Sequence, residues 1–174
     1  MLNFRKATEK DIDKITEIYS DIHTEEESGR AVIGWIREVY PTRATAEAAL
    51  LRNDLFVGEE DGELVGAAII NNTQVPEYKD GTWRYPASDN EVMVLHTLVI
   101  SPKTARKGYG RKFVEFYEQY ALSQSCPYLR IDTNEKNARA RAMYKKLGYE
   151  EIGIVPCVFN GIEGVGLVLL EKKL

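Results

Sequence analysis

Cysteine and histidine are scarce in this sequence, two of each among 174 residues. Cys126 and Cys157 form no CxxC pair and the histidines do not cluster. Neither a zinc site nor a disulfide framework is expected, so the reading is a metal-free protein of a reducing cytoplasm. Long apolar runs are missing too. Stretches such as "VMVLHTLVI" and "GLVLL" fall far short of the ~20 residues that cross a bilayer, and the opening "MLNFRKATEKD" carries no apolar signal core. No membrane partner is expected. There is no basic surplus either. A net charge of −4 lacks the electrostatic footprint of a nucleic-acid binder, so no nucleic acid is expected as a partner. No internal repeat or low-complexity tract appears.

What is present is an ordinary globular balance, 44% hydrophobic and 29% charged residues. One domain over residues 1–174 with a sizeable core is the expectation. "ATEKDIDKITEIYSDI" predicts a helix, with Thr8 and Asp11 at its start and Ile12, Ile15, Ile18, Tyr19 and Ile22 as its buried stripe. "AVIGWIREVYPT" has room for a short helix before Pro41, and "TAEAALLRN" for another. "LFVGEEDGELVGAAII" predicts a hairpin around the turn Glu60–Asp61–Gly62–Glu63. The polar stretch 72–90 holds Tyr78, Trp83 and Tyr85 and has the length of a functional lid, of a disordered segment or of a plain insertion.

A strand over 91–100 then runs into "SPKTARKGYGRKF", followed by a helix with Phe113, Phe116, Tyr117 and Tyr120 on one face. "YLRID" predicts a strand, "NARARAMYKKLG" a helix ended by Gly148, and "YEEIGIVPCVF" and "VGLVLLEK" two more strands. Helices and strands interleave, which argues for one sheet covered by helices.

The basic turn has the physics of a diphosphate site. A helix N-terminus exposes unpaired N–H groups and partial positive charge. Gly108 and Gly110 let a ligand approach the backbone, and Arg106, Lys107 and Arg111 add charge. The plainer reading is a connector with a solvated basic face. The turn is no Walker loop, since no Gly-Lys-Ser/Thr closes it, and Phe113 stands where a dinucleotide fingerprint needs its third glycine.

Together with the segment "NARARAMYKKLGY" some thirty residues downstream, the turn resembles the GNAT superfamily of N-acetyltransferases. The apolar-x-Pro element is Ile100–Ser101–Pro102, the Gly-x-Gly turn comes next, and a second motif is met by Asn137, Ala140, Tyr144, Leu147, Gly148 and Tyr149. "FRKATEKDIDKI" and "LVGAAII" resemble the first strand and helix and the third strand of that family. The chain departs from the pattern at Ala105, where the family usually has Arg or Gln. Arg106 and Lys107 come next, and the family's reliance on backbone amides implies that binding survives.

The resemblance implies an α/β fold (α+β): a mixed, mostly antiparallel sheet of six or seven strands, splayed in the middle, with helices on both faces. It implies acetyl-CoA as co-substrate and direct transfer of the acetyl group to an amine, on a small molecule or a peptide. Leu98, Val99 and Ile100 would pair with the pantetheine arm like an added strand. Arg106, Lys107, Gly108, Tyr109, Gly110 and Arg111 would cradle the diphosphate, and Asn137 would touch the cofactor, unless it only caps its helix. Tyr144 would protonate the leaving sulfur, against the plainer reading of a packing tyrosine.

Strand alternation puts Val94, His96 and Leu98 on one face. In the resemblance that face looks toward the acceptor, so His96 would take the amine's proton, with a pKa near neutrality to suit the task. Glu91 is its rival. Trp35, Tyr40, Trp83 and Tyr85 are candidates for the acceptor wall. Similar proteins often dimerise, which leaves a homodimer open. The alternative function on the same fold is a non-catalytic acyl-CoA-binding or sensing module.

Overall fold

A computed structural model describes residues 1–174. Its strands are β1 (Leu2–Lys6), β2 (Leu55–Glu60), β3 (Glu63–Asn71), β4 (Val92–Ile100), β5 (Tyr128–Asn134), β6 (Glu150–Phe159) and β7 (Ile162–Lys173). The helices are α1 (Ile12–Glu27), α2 (Arg43–Leu51), α3 (Tyr109–Ser123) and α4 (Ala138–Lys146). The strands form one sheet in the order β1-β2-β3-β4-β5-β7-β6, antiparallel except for β4 against β5. The mixed, mostly antiparallel seven-stranded sheet is the architecture that the sequence implies.

Local chemistry starts and stops these elements where the sequence signals it. The Thr8 backbone N–H donates to Asp11 Oδ2 at 2.7 Å, and Arg5 on β1 grips the same carboxylate at 2.8 Å, tying the first strand to α1. Ile12, Ile15, Ile18, Tyr19 and Ile22 are all buried and pack with α2 on one face of the sheet. On the other face, Phe113 and Tyr117 of α3 and Tyr144 of α4 join Met93, Leu95, Leu129 and Ile131. Truncating a fully buried ring such as Phe113 to alanine would cost about 3–5 kcal/mol. The predicted hairpin forms on the two-residue turn Asp61–Gly62, and β6 and β7 are likewise joined by Asn160–Gly161, with every φ positive.

Two expectations need correction. Residues 31–40 hold no helix. Gly34 sits at φ +88 and Glu38 at φ +64, which no α-helix admits. The loop is instead held by the Glu26 carboxylate, which accepts the N–H groups of Ile33 at 2.6 Å and Gly34 at 3.1 Å. The stretch 72–90 is not a loose flap either. Tyr78 is buried, Trp83 Nε1 donates to the Tyr78 carbonyl at 2.8 Å, and the Arg84 N–H donates to Glu171 at 2.6 Å. The Arg130 guanidinium lies 4.1 Å from the centre of the Trp83 ring. These contacts fasten the segment to β5 and β7.

The alternation along β4 is also interrupted. Ala67 pairs with Val99 but Ile69 with His96, so β4 carries one extra residue, and Thr97 takes φ +48. Past this bulge, Leu98 and Ile100 return to the face of Met93 and Leu95, while Val99 turns to the α1 side. Leu98 therefore does not share a face with Val94 and His96. Gly66 on β3 permits the local approach, since a Cβ there would lie 2.5 Å from the Val99 carbonyl oxygen.

Candidate active site

Pairing of β4 with β5 ends at Leu95 and Ile131, yet β4 continues to Ile100 and β5 to Asn134 alongside β7. The two strands part, and the gap opens a cleft of about 1230 Å³. That exceeds the ~300–1,000 Å³ typical of a single small-ligand pocket and leaves room for two reactants.

One wall is the β4 edge. Leu98, Val99 and Ile100 line the cleft together with Thr97, and no strand pairs with this edge beyond Leu95. The edge ends in the basic turn, where Ala105, Arg106, Gly108, Tyr109, Gly110 and Arg111 line the cleft. Arg106 at φ +69 and Gly108 at φ +76 swing the chain into α3. The N–H groups of Arg106 through Arg111 meet no protein acceptor, so a run of donors is free at a helix N-terminus, as an anion requires. A Cβ on Gly108 would meet nothing within 4 Å, which leaves open space beside those donors.

Gly110 serves a different purpose, since its Cβ would press to 3.3 Å on Met143 Sδ where α3 crosses α4. The Tyr109 hydroxyl is bonded to Glu60, which anchors the turn to β2. Lys107 is the one predicted member outside the cleft lining. Its ammonium lies 5.9 Å from the centre of the Tyr109 ring, drawn to the π face.

The opposite wall comes from α4. Asn137 lines the cleft, but its Oδ1 accepts the Ala140 N–H at 3.1 Å. The cap reading is therefore realised, and the side-chain NH₂ and one lone pair of Oδ1 are left for a ligand. Tyr144 also lines the cleft and packs edge-on against Tyr149, with ring centres 5.8 Å apart. Burial first, and then the charge of Asp132, push its pKa well above that of a free phenol. It holds its proton at neutral pH and can donate it.

At the far end, Trp35 and Tyr40 reach in from the α1–α2 loop, their rings 6.1 Å apart and nearly perpendicular. The Tyr40 hydroxyl bonds Thr97 Oγ1, which pins this loop to the bulge. Trp83 and Tyr85 do not contribute, because their segment carries them past Arg130 to the start of β5, where Tyr85 meets Tyr128.

His96 lines this end too. Asn71 Oδ1 accepts the Thr73 N–H at 3.0 Å while Asn71 Nδ2 donates to Asp54 Oδ2 at 2.8 Å. The same Oδ1, 2.8 Å from His96 Nε2, thus makes that ring nitrogen the protonated one. Burial, only partly opposed by the Asp54 charge, lowers the His96 pKa to about 4. The imidazole is neutral but a weaker base than its reference value promises. Glu91 is exposed and accepts hydrogen bonds from Ser88 outside the cleft, as the cap of a short turn.

One acid that sequence reasoning missed stands in the gap. Asp132, just past the last β4–β5 pair, lines the cleft, and its Oδ2 accepts the Tyr78 hydroxyl at 2.7 Å. Burial raises its pKa to about 7, against the lowering effect of that hydrogen bond. The available signal was a carboxylate in a strand that alternates with apolar Leu129 and Ile131.

Comparison with known proteins agrees with this fold. A solved GNAT-family acetyltransferase from Streptococcus agalactiae 2603 superposes with a TM-score of 0.78, at 24% identity over 99% of this chain and 95% of the other. The structure of yncA from Salmonella typhimurium, solved with its cofactor acetyl-CoA, superposes with a TM-score of 0.70 at 19% identity, over 100% and 94% of the two chains. In sequence, the uncharacterized N-acetyltransferase YhfO of Bacillus subtilis (strain 168) is 27% identical over 56% of this chain and 58% of its own length. The streptothricin acetyltransferase of Escherichia coli is 31% identical over 54% of this chain and 45% of its own length. The chain thus spans less than two thirds of these relatives. The model of the Acetyltransferase (GNAT) family matches residues 12–149, most of the chain, and the protein belongs to that family.

Proposed function

We propose that this protein transfers the acetyl group of acetyl-CoA to a primary amine by direct attack within one ternary complex. The observation that carries the reading is the parted β4–β5 pair, which leads directly to the free donors of Arg106–Arg111. The residues present fit acetyl-CoA. The unpaired β4 edge suits an extended pantetheine arm, the basic turn suits a diphosphate, and the cleft continues past the thioester position to a second, aromatic end.

Acetyl-CoA supplies an activated acyl group. The chain's residues supply the rest. Backbone N–H groups of β4 facing the gap polarise the carbonyl where negative charge develops. Tyr144 gives a proton to the departing sulfur. Trp35 and Tyr40 hold the acceptor against the same gap, which makes the encounter effectively intramolecular. The relative that acts on streptothricin supports a small-molecule acceptor for this site as well.

Thiol release from acetyl-CoA, measured across a panel of primary amines, tests the proposal. Amine-dependent release with a matching acetamide product is the expected result. Tight CoA binding without turnover of any amine would replace it with a binding role.

A further inference from the structure

Asp132 occupies the point where the two reactant ends of the cleft meet. It is the first residue of β5 beyond the last pair with β4. Its carboxylate is held by the Tyr78 hydroxyl at 2.7 Å, and no lysine or arginine forms an ion pair with it. An unpaired carboxylate in a cleft wall attracts a cation. Around it the acceptor end is apolar and aromatic, with Trp35, Tyr40, Val75, Phe159 and Leu167. Arg30, which also lines the cleft, is engaged by both oxygens of Glu25, whereas Lys136 and Arg139 line it and form no ion pair.

We propose that Asp132 receives the acceptor as an ammonium ion and takes its proton, and that the acceptor is a small cationic amine with an apolar body. The inference rests on the acetyl-transfer reading and deepens it. The protons balance. The ammonium gives one proton to the Asp132 carboxylate, and the neutral nitrogen forms its bond to the acyl carbon as the carbon–sulfur bond breaks. Tyr144 gives its hydroxyl proton to the sulfur and recovers one from the nitrogen. Asp132 then returns its proton to solvent, so one proton is released per acetamide formed.

The environment tunes this group for the task. Asp132 is faced by Tyr78 and Glu77 from the segment before β4, Tyr40 from the α1–α2 loop, Tyr144 from α4 and Cys157 from β6. His96 lines the same cleft from β4. Burial and Glu77 raise the carboxyl to about 7, whereas the His96 imidazole is lowered to about 4. An alkyl ammonium loses its proton near ~10.4, so Asp132 is the better matched of the two.

The test uses the full chain with acetyl-CoA and 2-phenylethylamine, a small cationic amine with an apolar body. Asp132→Asn should lower kcat/KM for the amine by about 100- to 1,000-fold while CoA still raises the melting temperature. Tyr78→Phe removes a hydrogen bond that stabilises the carboxylate, so the acid limb of the kcat/KM profile should move to higher pH. That shift is readable even if Asp132→Asn folds poorly, and a merely structural role would not produce it. Full activity in Asp132→Asn or an unmoved limb in Tyr78→Phe overturns the proposal. No thiol release from wild type with any amine overturns the acetyl-transfer reading with it, whereas turnover that ignores Asp132 removes this inference alone.

Discussion

His96 Nε2 donates its hydrogen to Asn71 Oδ1 across 2.8 Å, and Asn71 in turn donates to Asp54. The ring is thereby held in one tautomer in a site that resists its protonation. Its folded pKa of about 4 lies below the reference of 6.5. The folded state therefore binds fewer protons than the unfolded chain between those values. The stability tied to a neutral His96 is present above pH ~6.5 and is lost as pH falls toward 4, by about 3 kcal/mol at most. His96→Gln carries no such titration. The urea stability of wild type relative to His96→Gln should fall between pH 7 and pH 4.5. A difference independent of pH would show that the ring is not held as described.

Gly108 faces open space at φ +76 beside free amides. Gly108→Val places a branched side chain there and strains a left-handed backbone, at a cost of about 1–2 kcal/mol to the free protein. CoA at 100 times its Kd should stabilise wild type by about 2.7 kcal/mol. The variant should lose that gain. Thermal melts with and without CoA measure both effects, and a retained CoA shift would move the diphosphate away from this turn.

Tyr144→Phe keeps the ring against Tyr149 and removes a hydroxyl that no protein group requires. Turnover should fall by about 10- to 1,000-fold, with CoA affinity and melting temperature nearly unchanged. Steady-state kinetics beside CoA titration checks this. Undiminished turnover would make Tyr144 a packing residue.

The segment between β3 and β4 is fastened at Tyr78, Trp83 and Arg84. Hydrogen exchange at the Tyr78 and Arg84 amides, bonded to Val75 and Glu171, should already be slow without ligand. Trp83→Ala removes the ring beneath Arg130 and should accelerate both. Rapid exchange in the unliganded wild type would restore the picture of a mobile lid.

The sequence by itself determined what depends on neighbours along the chain. The isoleucine stripe of α1, the Asp61–Gly62 hairpin, the glycines at 108 and 148 and the capping Asn137 are set by spacing and backbone preference over a few residues. The strand-to-basic-turn-to-helix unit is equally local, so the end of the cleft proposed for the diphosphate could be traced residue by residue. The end proposed for the acceptor could not. Tyr78 and Asp132 are 54 residues apart, and Tyr40 and Thr97 are 57 apart. Only the sheet order brings each pair together. The bulge at Thr97 obeys the same logic, because β3 sets the register at Ala67 and Ile69 and Gly66 gives the backbones room. Strand period alone cannot see an extra residue imposed by a partner strand. Tertiary burial then decided the chemistry, since the same desolvation that weakens a histidine as a base strengthens an aspartate.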